Sequence, residues 1–254
     1  MFNHVRLPEL DFELKSETTN KGRTYVTPEG DVYPSVTTVL SPYSKQAIME
    51  WRQRVGEAEA NKISTQASTR GTKLHLMCEQ YLLNELTPLQ MQTVMPDTKE
   101  LFLSVKPHLD KHIGDIYAIE QPLYSNKLKL AGKPDCIAEW DKVLSVVDHK
   151  TSKKEKSEEY ILNYFMQATA YCEMFEERTG IPINQIVLCF ALVEGGSQII
   201  VKQKHDYLQP LNEYIDYYWS GIHEEYAWQI NQLWYNYIMP LITEPIKDCL
   251  LYTS

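Results

Sequence analysis

Two aspartates and a lysine lie close together in the middle of this chain, in the runs Gly132-Lys133-Pro134-Asp135 and Asp148-His149-Lys150. Two strand-like stretches separate them, Cys136 to Trp140 and Val143 to His149, with Asp141-Lys142 between. If the chain reverses at that dipeptide, antiparallel pairing sets Asp135 opposite Asp148 and Lys133 opposite Lys150. Opposed side chains have Cβ atoms roughly 5 Å apart, and two carboxylates that close repel unless a cation sits between them. Asp148 and Lys150 share a face of their strand, as do Ile137, Leu144 and Val146, so the charges emerge from an apolar wall. A hard divalent ion, Mg²⁺ or Mn²⁺, would suit such a pair, neutralising a phosphoryl group and acidifying a bound water. A neighbouring lysine could orient that water or stabilise the charged transition state. The chemistry expected is phosphodiester hydrolysis. It depends on register, because Asp-Lys is not a favoured hairpin dipeptide and a slip of one residue would part the carboxylates. The competing reading is a surface hairpin with unrelated charges.

Other residues of the right types surround this hairpin in the sequence. Gly71-Thr72-Lys73-Leu74-His75 leads along a helix with Glu79 one turn later, which puts His75 and Glu79 on one face. An imidazole there suits Mn²⁺ and is compatible with Mg²⁺. Glu120 lies in the strand-like run Ala118 to Leu123, and Gln167 and Tyr171 are one helical turn apart after Lys150. Each has an ordinary alternative: a helix histidine, a solvated edge carboxylate, a tyrosine packed on a sheet.

Taken in order, these residues resemble the RecB-like branch of the PD-(D/E)XK nuclease superfamily. The resemblance rests on Gly71 and His75, on Glu120, on Gly132 to Asp135, on Asp148-His149-Lys150, and on Gln167 with Tyr171. Within that branch the chain is most similar to the group of mitochondrial genome-maintenance exonucleases and related short phage and bacterial exonucleases. Ser35-Val36-Thr37 and Trp51-Arg52-Gln53-Arg54, ahead of the histidine helix, support this, as does Asp135-Cys136-Ile137-Ala138. The resemblance implies a central mixed β-sheet flanked by helices, an α/β (α+β) fold. It implies His75, Asp135, Asp148 and the backbone carbonyl of His149 as ligands of Mg²⁺ or Mn²⁺, with Glu120 as a further member of the metal shell. Lys150 would be the catalytic lysine, joined by Gln167 and Tyr171. The implied activity is that of a metal-dependent DNA exonuclease acting on single strands or free ends in replication, recombination or repair. A structure-specific endonuclease, a double-strand resecting nuclease and an inactive nucleic-acid-binding module on the same fold stay open. Relatives with an iron–sulfur cluster carry four suitably spaced cysteines. Cys78, Cys136, Cys172, Cys189 and Cys249 are scattered without a CxxC pair, so no such cluster is expected and reduced, buried thiols are.

Charge locates the expected DNA path. The 254 residues carry a formal net charge of −9, which disfavours coating of nucleic acid by bulk charge. Residues 42–75 and 126–156 are nevertheless each +3, and they are the segments that hold the motifs. Arg70, Lys73, Arg52, Arg54, Lys153 and Lys154 are therefore candidate phosphate contacts, with Ser35 and Thr37 beside them. Trp51 is expected in the core. No helicase or P-loop motif is present, so unwinding would fall to a partner such as a helicase, a recombinase or a single-strand-binding protein. No membrane partner is expected, because no apolar run approaches 18 residues. The first residues read as neither signal nor transit peptide. A bacterial or phage protein working in the cytoplasm is expected.

The elements that must position these groups follow from periodicity. The chain reads as a single domain over 1–254: an arm (1–21), an N-terminal hairpin with helices (22–112), a catalytic core (113–204) and an aromatic-rich helical tail (205–254). Arg23 to Thr27 and Asp31 to Val36 are predicted strands, and residues 44–60, 66–84, 97–110 and 157–178 predicted helices. Ser35 and Thr37 are predicted caps of a short helical turn. Ile116 to Tyr124 and Lys127 to Ala131 are predicted strands, and Ile186 to Val193 with Gln198 to Lys202 a predicted hairpin. The tail helix is predicted to run to about Pro240, with Tyr214, Tyr217, Tyr218 and Trp219 packing it on the sheet or on a partner.

Overall fold

The computed structural model describes residues 1–221. Its centre is a five-stranded mixed sheet built from β4 (Ile113–Ile119), β7 (Cys136–Trp140), β8 (Val143–Ser152), β9 (Gln185–Leu192) and β10 (Ser197–Gln203), in the order β10-β9-β8-β7-β4. Only β8 and β9 are parallel, and the connection between them is the long helix α6 (Leu162–Thr179). A parallel pair needs such a crossover, whereas the hairpins β7–β8 and β9–β10 do not. β8 is the middle strand and is buried on both faces, as its run of Val, Ser and Asp against helices on each side requires.

The two faces carry separate cores. On one face Ile137, Val146, Ile186 and Leu188 pack against Phe165, Met166, Ala168 and Cys172 of α6. On this side lie also α1 (Val36–Leu40) and α7 (His205–Trp219). On the other face Val147, Val187 and Cys189 pack against Leu74, Met77 and Cys78 of α3 (Glu57–Leu82) and Phe102 and Val105 of α5 (Pro96–His112). Alternation of side chains along each strand divides the residues between the two cores. Cys78, Cys136, Cys172 and Cys189 are free and buried, while Cys249 lies outside the described residues.

The predicted elements are present, with differences that have local causes. Residues 1–21 are not a loose arm: β1 (Lys15–Thr19) pairs with β2 (Gly22–Val26), which pairs with β3 (Val32–Pro34) in a small three-stranded sheet. Residues 3–5 lie along β4, with Val5 N–H donating to the Ile116 carbonyl at 2.8 Å and Ile116 N–H to that of Asn3 at 2.9 Å. The helix expected over 44–60 stops sooner. α2 (Pro42–Val55) ends at Gly56, whose φ of 87° and ψ of 146° only glycine adopts readily, and α3 starts at once. A short α4 (Pro88–Thr93) follows, opened by a Thr87–Gln90 capping box not recognised in the sequence. The run Ile116 to Tyr124 divides between β4 and β5 (Leu123–Ser125), and β5 pairs with β6 (Leu130–Gly132) away from the main sheet. α6 begins five residues later than expected, after a 3-10 turn at Glu158–Tyr160. Tyr214 and Tyr218 pack against the α6 core while Trp219 is exposed, and the rest of the tail lies outside the described residues.

Candidate active site

The β7–β8 hairpin sets the geometry. Asp141 and Lys142 both have positive φ, 52° and 67°, which is the two-residue turn whose twist matches antiparallel strands. Pairing runs from Trp140↔Val143 to Cys136↔Val147, so the expected register holds and Asp135 stands at the mouth of the hairpin beside Asp148. Lys133 does not meet Lys150, because the ladder ends at Cys136. Asp135 Oδ2 instead accepts the His149 backbone N–H at 2.6 Å, extending the strand contact by one side chain. Gly132 is required there by close packing: a Cβ would sit 2.6 Å from the Tyr171 ring.

Three elements deliver the charged groups. His75, midway along α3, places Nδ1 3.2 Å from Asp135 Oδ1. Glu120 follows β4 with φ of 49° and donates its N–H to the Asp135 carbonyl at 3.1 Å. Ligand atoms of His75, Glu120 and Asp135 lie within 4.8 Å of one another. Glu120 is thus inside the trio. The Asp148 carboxylate turns instead to Lys150, Oδ2 to Nζ 2.6 Å, although it shares the same buried pocket. The His149 backbone belongs to the β8–β9 ladder. Its imidazole is buried on the α3 side, with Nδ1 3.6 Å from Asp135 Oδ2 and no hydrogen-bond partner for Nε2.

The electrostatics follow from burial and pairing. Burial alone would raise the Asp135 carboxyl, but His75, the His149 N–H and Lys150 hold it well below the usual carboxylate range. For Asp148 burial wins: it pushes the carboxyl up, Lys150 opposes, and the negative charge of Asp135 adds to the rise. Burial would lower the Lys150 ammonium, yet Asp148 and Asp135 more than reverse this, so Lys150 stays a cation. Burial likewise opposes a charged His75, and Asp135 overcomes it, raising the imidazole. One imidazole among carboxylate oxygens is a donor set that fits Mn²⁺ or Mg²⁺.

α6 closes the pocket from beneath. Gln167 Nε2 donates to Tyr171 Oη at 3.2 Å, and both residues stand where the sequence placed them. Tyr164, which sequence reasoning overlooked, lies with its ring centroid 5.0 Å from Lys150 Nζ. Its signal was its spacing, one turn before Gln167 and two before Tyr171. Lys133, also overlooked, forms an ion pair with Glu120.

The expected phosphate contacts fare differently. Lys73, Arg54, Lys153 and Lys154 are exposed and Arg70 is half-buried. Arg52 is committed elsewhere: its Nε reaches both Glu57 carboxylate oxygens at 3.2 Å and its Nη2 reaches Asn61 at 2.5 Å, bridging the Gly56 break. Ser35 is buried and caps α1, accepting the Thr38 N–H at 3.0 Å. The Ser35 cap is as expected, and Arg52 already has protein partners. Thr37 is exposed and shares a 3.0 Å hydroxyl contact with Ser35. A bridge between Ser35 and Ala131 brings this turn beside Gly132. Trp51 is buried, as expected.

A mixed sheet whose central hairpin presents two aspartates and a lysine, with helices on both faces, defines a nuclease fold class. The model of the PD-(D/E)XK nuclease superfamily matches residues 41–234, and the chain belongs to that family. It is similar to mitochondrial genome maintenance exonuclease 1 of Xenopus tropicalis, 29% identical over 182 residues, covering 66% of this chain and 50% of that protein. It is also similar to mitochondrial genome maintenance exonuclease 1 of Homo sapiens, 28% identical over 134 residues, covering 50% of this chain and 38% of that protein. The chain thus spans half or less of the length of these relatives.

Proposed function

We propose that this chain is a divalent-metal-dependent DNA exonuclease that hydrolyses phosphodiester bonds from free ends, with a preference for single strands. The observation that carries the reading is the His75, Glu120 and Asp135 cluster set directly beside the Asp148–Lys150 pair. The two relatives are exonucleases by name, which supports the same reading. His75, Asp135 and Glu120 would hold the ion, with Asp148 next to them. A hard divalent cation in such a site supplies charge neutralisation for phosphoryl oxygens and lowers the pKa of a bound water.

This chain's own residues do the rest. Hydrolysis joins a water oxygen to phosphorus and breaks one bridging P–O bond. Lys150, held protonated by Asp148 and Asp135, faces the negative charge that grows on the phosphoryl oxygens rather than removing a proton. The Asp148 carboxylate and the Tyr164 ring beside its ammonium hold it in position. Lys73, Arg70 and Lys153 approach the strand's other phosphates.

The test uses oligonucleotides labelled at either end, single- and double-stranded, with Mg²⁺, Mn²⁺ or EDTA, and a circular single strand. The proposal expects metal-dependent loss of linear single strands and an intact circle. Cutting of the circle would make the chain an endonuclease. Preferential loss of duplex ends would make it a resecting nuclease. Binding without cutting in either metal would leave a binding module.

A further inference from the structure

We propose that Lys133 is a stand-in cation: in the ion-free chain it neutralises Glu120, and when a divalent ion takes Glu120 it is released to bind a phosphate of the nucleic acid strand at the site. The inference rests on the nuclease reading above for the identity of the strand, but not for the ion exchange. Lys133 Nζ forms an ion pair with Glu120 Oε2. Glu120 is also one of the three residues whose ligand atoms lie within 4.8 Å of one another. A divalent ion bound among His75, Glu120 and Asp135 would therefore share a carboxylate with an ammonium already in contact with it. Like charges at contact range repel strongly in a partly buried site, so occupancy of the site requires Lys133 to leave.

The local structure allows that departure. The side chain of Lys133 is 43% exposed against 19% for Glu120, so the lysine stands at the mouth and the glutamate inside. Glu120 is fixed by its backbone, with φ of 49° and an N–H bond to the Asp135 carbonyl at 3.1 Å. Lys133 follows Gly132, which packs under the Tyr171 ring, and besides Glu120 the charges of Glu79 and Tyr25 act on its ammonium. Its flexible stem can swing the ammonium outward without disturbing the core. Two residues from Asp135, the freed ammonium stays within reach of a phosphate held there. The exchange keeps the pocket near neutrality in both states: lysine on glutamate without the ion, ion on glutamate and lysine on phosphate with it.

Calorimetric titration of Mn²⁺ into the ion-free full chain tests the first half. Lys133→Met is expected to bind Mn²⁺ roughly tenfold more tightly than the wild type. In a Glu120→Gln background the same change is expected to have little effect. Unchanged Mn²⁺ affinity in Lys133→Met, or an equal gain in both backgrounds, would overturn the exchange. Lys133→Gln serves as a second variant, and circular dichroism checks that each is folded. The second half is read by fluorescence anisotropy of a labelled single-stranded oligonucleotide, in Ca²⁺ and in EDTA. The expected result is weaker binding by Lys133→Met in Ca²⁺ and equal binding in EDTA. Loss in both conditions, or in neither, overturns the phosphate contact. Neither measurement requires cleavage, so failure of the nuclease reading is seen separately.

Discussion

Lys150 is a cation because of its neighbours, and its substitution should show it. Lys150→Ala is expected to lower cleavage by about 10²–10³-fold while the far-ultraviolet circular dichroism spectrum is retained, as single-turnover assays with Mg²⁺ would read. Tyr164 separates positioning from chemistry. Tyr164→Phe keeps the ring under Nζ and should cleave at nearly the wild-type rate. Tyr164→Leu removes the cation–π contact and should lose about tenfold in kcat, since such contacts contribute roughly 1–2 kcal/mol when desolvated. His75 gives a pH dependence. Asp135 raises its pKa above the ordinary value of about 6.5. A raised folded-state pKa means stability that is fully present below the unfolded value and lost as pH rises through the folded one. Thermal denaturation of the ion-free chain should therefore show falling stability as pH climbs past about 6.5, and His75→Gln should flatten that part of the curve. Ion binding needs the neutral imidazole, so Mn²⁺ affinity should rise over the same range.

The hairpin and the helices around it decide where these residues stand. Gly132→Ala would drive a methyl to 2.6 Å from the Tyr171 ring, and either β6 or α6 must move. The expected cost is about 1–3 kcal/mol, read by urea denaturation, with a larger proportional loss of cleavage because Asp135 is three residues away. The register of β7 on β8 was legible in the sequence because one turn placement brings Asp135 and Asp148 together, and the turn lies where two strand-like runs meet. The positive φ of both Asp141 and Lys142 was not legible, since neither residue type announces it as Asn-Gly would. Nor was the Glu120–Lys133 pair, which joins β4 to the strand before β7 and exists only once β4 has docked. The Ser35 cap was legible in the sequence, whereas the pairing of Arg52 with Glu57 and Asn61 was not, because sequence shows charge but not commitments. A guanidinium across the Gly56 break is a tertiary fact that composition does not encode. α2 ends and α3 begins at Gly56, whose conformation had no signature in the flanking periodicity, so α2 stops short of the expected residue 60 and α3 starts at Glu57 rather than at 66.

For the whole molecule, an acidic chain whose motif-bearing segments are basic has consequences for conditions of use. Arg54, Lys73, Lys153 and Lys154 are exposed and lie in or next to the segments that carry the motifs, Lys153 with Glu194 3.8 Å away, while the chain as a whole carries −9. Few phosphates are neutralised and little general attraction supports them, so cleavage at subsaturating substrate should fall steeply with salt. A log–log plot of kcat/KM against KCl concentration between ~50 and ~200 mM should give a slope set by that small number of contacts. Lys73→Ala should make it shallower by about one unit. The sheet offers a different consequence, for handling rather than catalysis. Its β4 edge is covered by residues 3–5, whose amides and carbonyls occupy those of Ile116. Deleting residues 1–7 would uncover that edge and leave a template for strand addition. Light scattering should then show self-association that grows with concentration while the active-site residues remain in place, so a few residues far along the chain from Lys150 act as the molecule's guard against its own copies.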